Sequence, residues 1–229
     1  MYRYFFKRLF DFFLSGLAII ILSPIMLILA LIIKIDSKGP VFFKQKRVGK
    51  KKKLFTILKF RTMPTDVPHD MPTHQFKDER KLSKFQHFLR KSSLDELPQL
   101  FNIFTGKMSI IGPRPALWNQ DDLIAERDKY DANDVKPGLT GLAQISGRDE
   151  LEIGIKAKLD GDYVAKLKAG KFRGFAMDCK CFFGTITSVL KHEGVVEGGT
   201  GAINQNKEID KNQIQEQIEE QIEEQVQAQ

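Results

Sequence analysis

The chain has 229 residues, of which 42% are hydrophobic, so it can build one globular domain with its own core beside a membrane segment. Its formal net charge of +7 is uneven: residues 204–229 carry −5, and residues 1–203 therefore carry about +12. This basic part suits an anionic lipid surface or phosphate-bearing substrates. A nucleic acid partner is not expected, because the sequence has no helix-turn-helix, zinc-finger spacing or aromatic-basic RNA signature.

The first predicted element is a membrane helix. Residues 12–33 form a charge-free run of 22 residues, long enough for a straight helix to cross a hydrocarbon core of about 30 Å. Ser23-Pro24 lies near its middle, and a proline there removes a backbone donor and bends the helix. Because basic residues, which favour the cytoplasmic side, flank both ends, we predict a re-entrant helix within residues 1–38 that breaks at Ser23-Pro24. Ser23 or neighbouring groups must then satisfy the carbonyl groups that the proline frees.

Two alternatives to a re-entrant helix are a single-pass anchor with a proline kink and a cleaved signal peptide. A signal peptide would have a shorter apolar region that ends at small residues. This run ends in Lys34-Ile35-Asp36, so we expect the segment to stay in the mature protein.

Residues 39–200 are predicted to form a single body of helices and short strands. The predicted strands cover residues 41–43, 54–60, 108–111 and 142–145, with turns at residues 49–53 and 137–141. Helices are predicted over residues 76–91, 94–104, 119–130, 150–167 and 175–191, and a proline-containing loop over residues 64–75. This mixture favours a mixed α/β, mostly helical fold and not a doubly wound sheet.

Two predicted segments leave alternatives open. The helix over residues 76–91 is basic and amphipathic, so its apolar face either packs in the core or lies in the membrane interface. In the acidic Gln/Glu-rich tail, residues 201–229, an apolar residue recurs at every fourth position from Ile214, a spacing that drifts by about 40° per step around a helix. The tail is therefore predicted to be a frayed helix or disordered, with self-association into a homo-oligomer as the alternative.

Candidate site residues concentrate in the centre of the body. Asp95-Glu96 places two adjacent carboxylates just after Arg90-Lys91, and such a pair can simply complement the dipole at a helix start. Other cations nearby in the sequence occupy stiff or strand-terminal positions, namely Arg114 between Pro113 and Pro115, Arg148 after Gly147, and Lys59 and Arg61. Fixed arginines suit bidentate recognition of phosphate, and carboxylates suit Mg²⁺ that bridges phosphate oxygens. Together these residues indicate phosphate chemistry.

Other kinds of site lack their signatures. Cys179 and Cys181 lie inside an apolar helical pattern, which indicates packing, and no histidine has ligand spacing with them. The sequence also lacks a Walker loop, and the glycine-rich residues 194–201 follow a predicted helix instead of opening one.

Several motifs in a fixed order resemble the bacterial sugar transferases, the monotopic phosphoglycosyl transferases that load a sugar phosphate onto polyprenyl phosphate. The resemblance covers about residues 3–200. It rests on Lys7-Arg8-x-x-Asp11, Ser23-Pro24, Lys59-Phe60-Arg61-Thr62-Met63, Leu94-Asp95-Glu96-Leu97-Pro98-Gln99, Gly112-Pro113-Arg114-Pro115, Lys136-Pro137-Gly138-Leu139-Thr140-Gly141 and Gly147-Arg148.

The resemblance implies a re-entrant helix in the inner (plasma) membrane and a catalytic body on its cytoplasmic face. It also implies Mg²⁺ and a transfer in two steps. Asp95 attacks the β-phosphate of a UDP-sugar and expels UMP, and polyprenyl phosphate then takes the phosphosugar from the enzyme. Asp95 is the implied nucleophile and Mg²⁺ ligand, and Glu96 is its partner.

The same resemblance assigns substrate-binding roles to Lys59, Arg61, Arg90, Pro113, Arg114 and Arg148. Arg90 either orients the carboxylate pair or partners a helix end. Asp178 is a structural residue, either an N-terminal dipole charge or, as we favour, a buried partner of one of these arginines. Lys7-Arg8-x-x-Asp11 pins the membrane helix at the interface, or else it is only positively charged flanking sequence.

A second class of function is a non-catalytic, membrane-anchored module that binds anionic lipid through its basic face. Release of UMP from a UDP-sugar would distinguish the enzyme from this module.

Overall fold

A computed structural model describes residues 2–63, 82–147 and 151–191. The predicted loop over residues 64–75, Arg148 and the acidic tail lie outside these residues.

The longest element is helix α1, Lys7–Asp36, which follows a π-helical turn, Tyr2–Phe6. It is the one helix in the described segments that is long and apolar enough to cross a membrane. The helix continues through Pro24, and because a proline inside a helix bends it without necessarily ending it, the predicted change of direction at Ser23-Pro24 stays a prediction. Pro24 has no N–H to donate to the carbonyl of Ile20, and the Ser23 hydroxyl donates to that carbonyl at 2.8 Å. Ser23 thus satisfies the acceptor that the proline leaves free.

One side of α1 packs along the body and the other is exposed. The buried residues recur along the whole helix, at Lys7, Asp11, Ser15, Met26, Leu29 and Ile33. The exposed side carries large apolar residues from end to end, including Phe13, Leu17, Ile21, Leu27, Ile28 and Leu31. A contiguous apolar face of this length is typical of a surface that contacts lipid or a partner.

Strands β1, Phe42–Val48, and β2, Leu54–Phe60, form the predicted antiparallel hairpin. Phe42 lies opposite Phe60 and Val48 opposite Leu54, and a turn at Lys50–Lys52 connects the strands. Strand β1 runs five residues beyond the predicted residues 41–43, because its partner strand continues to that point. Ile57 and Phe60 of β2 are buried against α1 and its neighbours.

The chain next forms helix α2, Lys84–Lys91, and helix α3, Gln99–Phe104, separated by a 3₁₀ turn at Leu94–Glu96. The predicted helix over residues 94–104 is therefore two pieces. Pro98 is the N-terminal cap residue of α3, and a proline there fits the start of a helix better than its interior.

A second, parallel pair of strands joins β3, Ser109–Ile111, to β4, Gly138–Thr140. The predicted turn at residues 137–141 and strand at residues 142–145 are wrong, because the strand lies at Gly138–Thr140 and helix α5 follows at Leu142–Ile145. The backbones approach closely here: a Cβ atom on Gly138 would lie 2.1 Å from the Gly112 nitrogen. Glycine is needed at that position for strand pairing, and the sequence pattern alone indicated a turn.

The remaining helices are α4, Asp121–Asp128, α6, Ile153–Lys168, and α7, Lys171–Lys191. All three were predicted within a few residues of these bounds. Buried residues of α6 pack with Cys181 of α7, which is fully buried as the packing interpretation required. The described fold is mostly helical with two small sheets, in agreement with the predicted mixed α/β class.

A buried ion pair between α4 and α6 generates a prediction about stability. Arg127 donates from Nε and Nη2 to Oδ2 of Asp160, at 2.8 and 2.6 Å, and the Asp160 side chain is 1% exposed. Replacing Asp160→Asn leaves the Arg127 charge buried without its counter-charge, so we expect the free energy of unfolding to fall by about 3–5 kcal/mol. Chemical denaturation of the detergent-solubilised protein measures this change.

The control is Asp131→Asn, which breaks the exposed ion pair with Lys168 and should cost less than about 1 kcal/mol. Equal losses for the two variants would contradict the importance of the buried pair.

Candidate active site

The two carboxylates of Asp95 and Glu96 lie in the 3₁₀ turn after α2, and both residues are 8% exposed. The turn begins after Ser93, which has a left-handed backbone conformation with φ of 56°. Leu94 and Leu97, on either side of the pair, pack against a cluster that combines Met26, Leu29 and Ile33 of α1 with Phe60 of β2 and Leu89 of α2. The apolar part of the Leu-Asp-Glu-Leu sequence therefore anchors the carboxylate pair where the C-terminal half of α1 meets β2 and α2.

Glu96 is held by two cations from different parts of the fold. Its Oε1 accepts a hydrogen bond from Lys59 Nζ of β2 and another from Arg114 Nη2, which follows β3, both at 2.9 Å. The Arg114 segment is ordered in turn by Pro113, a buried residue whose carbonyl accepts from the Gly138 N–H at 2.8 Å. Hydrogen bonds to a carboxylate from charged donors are among the stronger ones in proteins, so Glu96 is fixed in place.

Asp95 is buried but its carboxylate is not engaged in the same way. Lys59 Nζ lies 3.9 Å from its Oδ2, beyond hydrogen-bond distance, and no residue of the described segments donates a hydrogen bond to it. Burial raises the pKa of Asp95 to about 6, against the opposing charge of Lys59 and with a further increase from the charge of Glu96. The charges of Arg114 and Arg90 act in the same direction as that of Lys59. At pH 7 the Asp95 carboxyl is therefore mainly ionised, and its oxygens accept no hydrogen bond from the part of the chain that the structure describes.

The structure brings four of the predicted substrate-binding residues to this pair and places one elsewhere. Lys59, Arg90 and Arg114 surround the carboxylates, and Pro113 precedes Arg114. Arg61 instead donates to the carbonyls of Lys38 and Ser37 at 2.6 and 2.7 Å. Its buried guanidinium therefore fastens the end of α1 to the end of β2. Arg148 lies outside the described residues.

Asp178 of α7 is buried, as predicted, but the prediction that an arginine is its partner is wrong. Its Oδ2 accepts from Lys7 Nζ at 2.9 Å and from the Tyr2 hydroxyl at 2.6 Å, and its Oδ1 accepts from the Tyr163 hydroxyl at 2.8 Å. The apolar stripe of α7 indicated that Asp178 would be buried, but no local pattern shows that the N-terminal segment packs against it. The two tyrosines carried no signal in the sequence.

The other two residues of the Lys7-Arg8-x-x-Asp11 motif also attach α1 to the body. Arg8 donates to the carbonyls of Ile103 and Phe104, both at 2.7 Å, which belong to the C-terminal turn of α3. Asp11 Oδ1 accepts from the Ser109 hydroxyl at 3.0 Å and from the backbone N–H of Ile110 at 2.9 Å. The motif therefore joins the first turns of α1 to α7, α3 and β3.

The described residues contain no group of three or more His, Cys, Asp or Glu side chains that could hold a metal ion. Mg²⁺ does not need such a group, since it is usually held by one or two carboxylates, water and substrate phosphates. The uncommitted oxygens of Asp95 fit that mode, whereas Oε1 of Glu96 already accepts from two cations.

This geometry predicts that Lys59 controls the titration of Asp95. Lys59→Met removes the largest opposing charge, so we expect the pKa of Asp95 to rise further, towards neutral pH. The pH dependence of carbodiimide labelling at Asp95, followed by peptide mass spectrometry, measures the midpoint. Lys52→Met, which removes an exposed lysine paired with Asp128, should leave the midpoint unchanged. An unchanged midpoint in Lys59→Met would show that Lys59 does not act on Asp95.

Comparisons with known proteins agree on one family. The family model described as bacterial sugar transferase matches residues 2–192. An uncharacterised sugar transferase of Bacillus subtilis, EpsL, is 38% identical over 82% of this chain and 89% of its own length, and the exopolysaccharide production protein PSS of Rhizobium leguminosarum is 37% identical over 80% and 94%. A UDP-glucose:undecaprenyl-phosphate glucose-1-phosphate transferase of Klebsiella pneumoniae is 41% identical over 62% of this chain, which matches only 31% of that longer protein. The chain belongs to the bacterial sugar transferase family.

Proposed function

We propose that this protein transfers a sugar-1-phosphate from a UDP-sugar to polyprenyl phosphate, with release of UMP. The observation that carries the proposal is the contrast between the two carboxylates. Glu96 accepts hydrogen bonds from Lys59 and Arg114, whereas the buried Asp95 beside it is ionised at pH 7 and accepts no hydrogen bond from any described residue. The Klebsiella relative is named as a transferase of glucose-1-phosphate from UDP-glucose to undecaprenyl phosphate, and this supports the same type of reaction here.

In the first step, an oxygen of Asp95 attacks the phosphorus that carries the sugar. A bond forms between that oxygen and the phosphorus, and the bond to the bridging oxygen of the diphosphate breaks, so UMP leaves with the bridging oxygen and its electron pair. Because Asp95 is already ionised, the attack needs no general base. The product is a mixed anhydride between Asp95 and the sugar phosphate.

In the second step, a phosphate oxygen of polyprenyl phosphate attacks the same phosphorus. The bond to Asp95 breaks and the carboxylate is regenerated, which yields polyprenyl-diphosphate-sugar. Both steps pass through the one carboxylate, so the two substrates act in turn.

The cations around the pair give this chemistry its electrostatic support. Lys59 and Arg114 are held by Glu96 next to the attacking carboxylate, where they can neutralise negative charge on the diphosphate. Arg90 adds a further positive charge near Asp95. Mg²⁺, which Asp95 is suited to ligate, would supply additional neutralisation of the diphosphate when bound. Glu96 is a positioning residue in this scheme.

Helix α1 gives the site access to the second substrate, a membrane lipid. Its exposed apolar face lets the protein reside in the membrane, and the apolar cluster that α1 shares with Leu94 and Leu97 holds the carboxylate pair near this helix, where a lipid phosphate can arrive by lateral diffusion. We further propose that α1 is re-entrant and that the body lies on the cytoplasmic face of the plasma membrane. The contacts that join both ends of α1 to the same body support this arrangement.

The proposal predicts a covalent phosphosugar on Asp95. The solubilised protein, given Mg²⁺ and a panel of UDP-hexoses and UDP-N-acetylhexosamines without lipid acceptor, should release UMP in a single burst with one of them. Intact mass should rise by one phosphosugar. Asp95→Asn should abolish the adduct and lower turnover with polyprenyl phosphate by at least about 10³-fold, because an amide is a poor nucleophile.

Two further variants sharpen this test. Asp121→Asn, at an exposed acid at the start of α4, should behave as the unmodified protein. Glu96→Gln should slow turnover but leave some adduct, since Asp95 retains its carboxylate. An adduct that forms normally on Asp95→Asn, or that maps to another residue, would refute the assignment of the nucleophile. Absence of UMP release across the whole panel would favour the lipid-binding module.

A further inference from the structure

A second basic site lies at the N-terminal end of α1. A cavity of about 220 Å³ is enclosed by the N-terminal turn, the first turns of α1, the hairpin turn, the start of β3, the segment before β4 and α6. Five cations line it: Arg3, Lys7, Arg8, Lys50 and Lys136. It shares no lining residue with the cluster around Asp95 and Glu96, so the proposed transfer does not use it.

The cations of this cavity differ in whether they have hydrogen-bond or ion-pair partners within the described residues. Lys7 is paired with Asp178, and Arg8 is bonded to the carbonyls of α3. Lys136, by contrast, is half-buried and makes no hydrogen bond or ion pair with any residue in the described part of the chain, and the same is true of the exposed Lys50. Burial, with smaller contributions from the charges of Arg8 and Lys50, lowers the pKa of Lys136, against the opposing charge of Asp11.

Two acids also line the cavity but do not balance the cations. Asp11 Oδ1 is occupied by the Ser109 hydroxyl and the Ile110 N–H. Asp134 is exposed at the end of the short turn Ala132–Asp134. The lining has five cations and two acids, and Asp178 behind it neutralises Lys7, which leaves an excess of two positive charges. Such an excess around a half-buried lysine that has no partner among the described residues is suited to an anion.

The position of the cavity indicates where the anion comes from. Tyr4 and Phe5 beside it are 69% and 57% exposed, and the exposed apolar face of α1 begins directly after them. Exposed aromatic residues at the end of an apolar helix are typical of the level of lipid headgroups. The volume is also below the roughly 300–1,000 Å³ of sites for drug-sized ligands, so it suits a small anionic group.

We propose that this cavity binds a phosphate group through Lys136 and Lys50, as the headgroup of an anionic membrane lipid or as free phosphate. The bound anion supplies the counter-charge that Lys136 lacks within the described residues, and it fixes the N-terminal end of α1 at the membrane surface. This role is independent of the transfer reaction.

The test is native mass spectrometry of the full chain in detergent with short-chain phosphatidylglycerol, short-chain phosphatidylcholine or inorganic phosphate. We expect phosphatidylglycerol to bind at least about tenfold more tightly than phosphatidylcholine, and Lys50→Gln combined with Lys136→Gln to remove that preference. The matched control, Lys51→Gln combined with Lys166→Gln, removes two exposed lysines that do not line the cavity and should keep the preference within about twofold.

Competition between inorganic phosphate and phosphatidylglycerol separates the two sources of the phosphate group. Displacement of phosphatidylglycerol by millimolar inorganic phosphate means that a free phosphate also occupies the site, and retention against it identifies the lipid headgroup as the ligand. Equal lipid preference in the cavity variant and the unmodified protein, or an equal loss in the control, overturns the proposal. If the double variant fails to fold, Lys50→Gln alone provides the test, because Lys50 is exposed and its replacement should remove part of the preference for phosphatidylglycerol. Asp95→Asn should bind phosphatidylglycerol normally, so failure of the transfer mechanism would not be mistaken for failure of this site.

Discussion

The attachment of α1 to the body is the constraint on which the rest of the structure depends. Apolar packing holds one side of this helix against the body, and polar contacts near both of its ends add to that packing. Lys7, Arg8 and Asp11 join its first turns to α7, α3 and β3. Arg61 joins the residues just after its last turn to β2. Both ends of the helix are thus held by the same globular body, and the apolar face between them is left for lipid.

The carboxylate pair depends on this attachment. Leu94 and Leu97 pack against the cluster in which the C-terminal half of α1 meets β2 and α2, and the turn between them carries Asp95 and Glu96. The two acids then have unequal surroundings, because Lys59 and Arg114 both bond to Glu96. One carboxylate organises the positive charge and the other keeps its oxygens available. A buried pair with this division of roles is suited to nucleophilic attack on a phosphate.

Local patterns in the sequence predicted the elements whose structure depends on neighbouring residues. They failed for elements and contacts that depend on segments distant in the sequence. The hairpin, α6 and α7 have clear periodicity and turn residues, and they were predicted. Strand β4 was predicted as a turn because Gly138 serves a parallel pairing with β3, in which its partner Ser109 lies 29 residues earlier in the chain. The resemblance to the family's motifs predicted that Lys59, Arg90 and Arg114 belong to one site with the carboxylates. The partners of Asp178 and Arg61 lie on elements that are distant in the sequence, and no local pattern predicts them.

The most direct test of the central claim, that both ends of α1 lie on one face of the membrane, is cysteine accessibility in intact cells. Tyr4→Cys and Lys38→Cys place single exposed thiols beyond either end of the apolar run, in a background where Cys179 and Cys181 are replaced by alanine. The account predicts that an impermeant thiol reagent labels neither thiol until the cells are opened, after which it labels both. Labelling of one end alone in intact cells would mean that α1 spans the membrane, and would contradict the account.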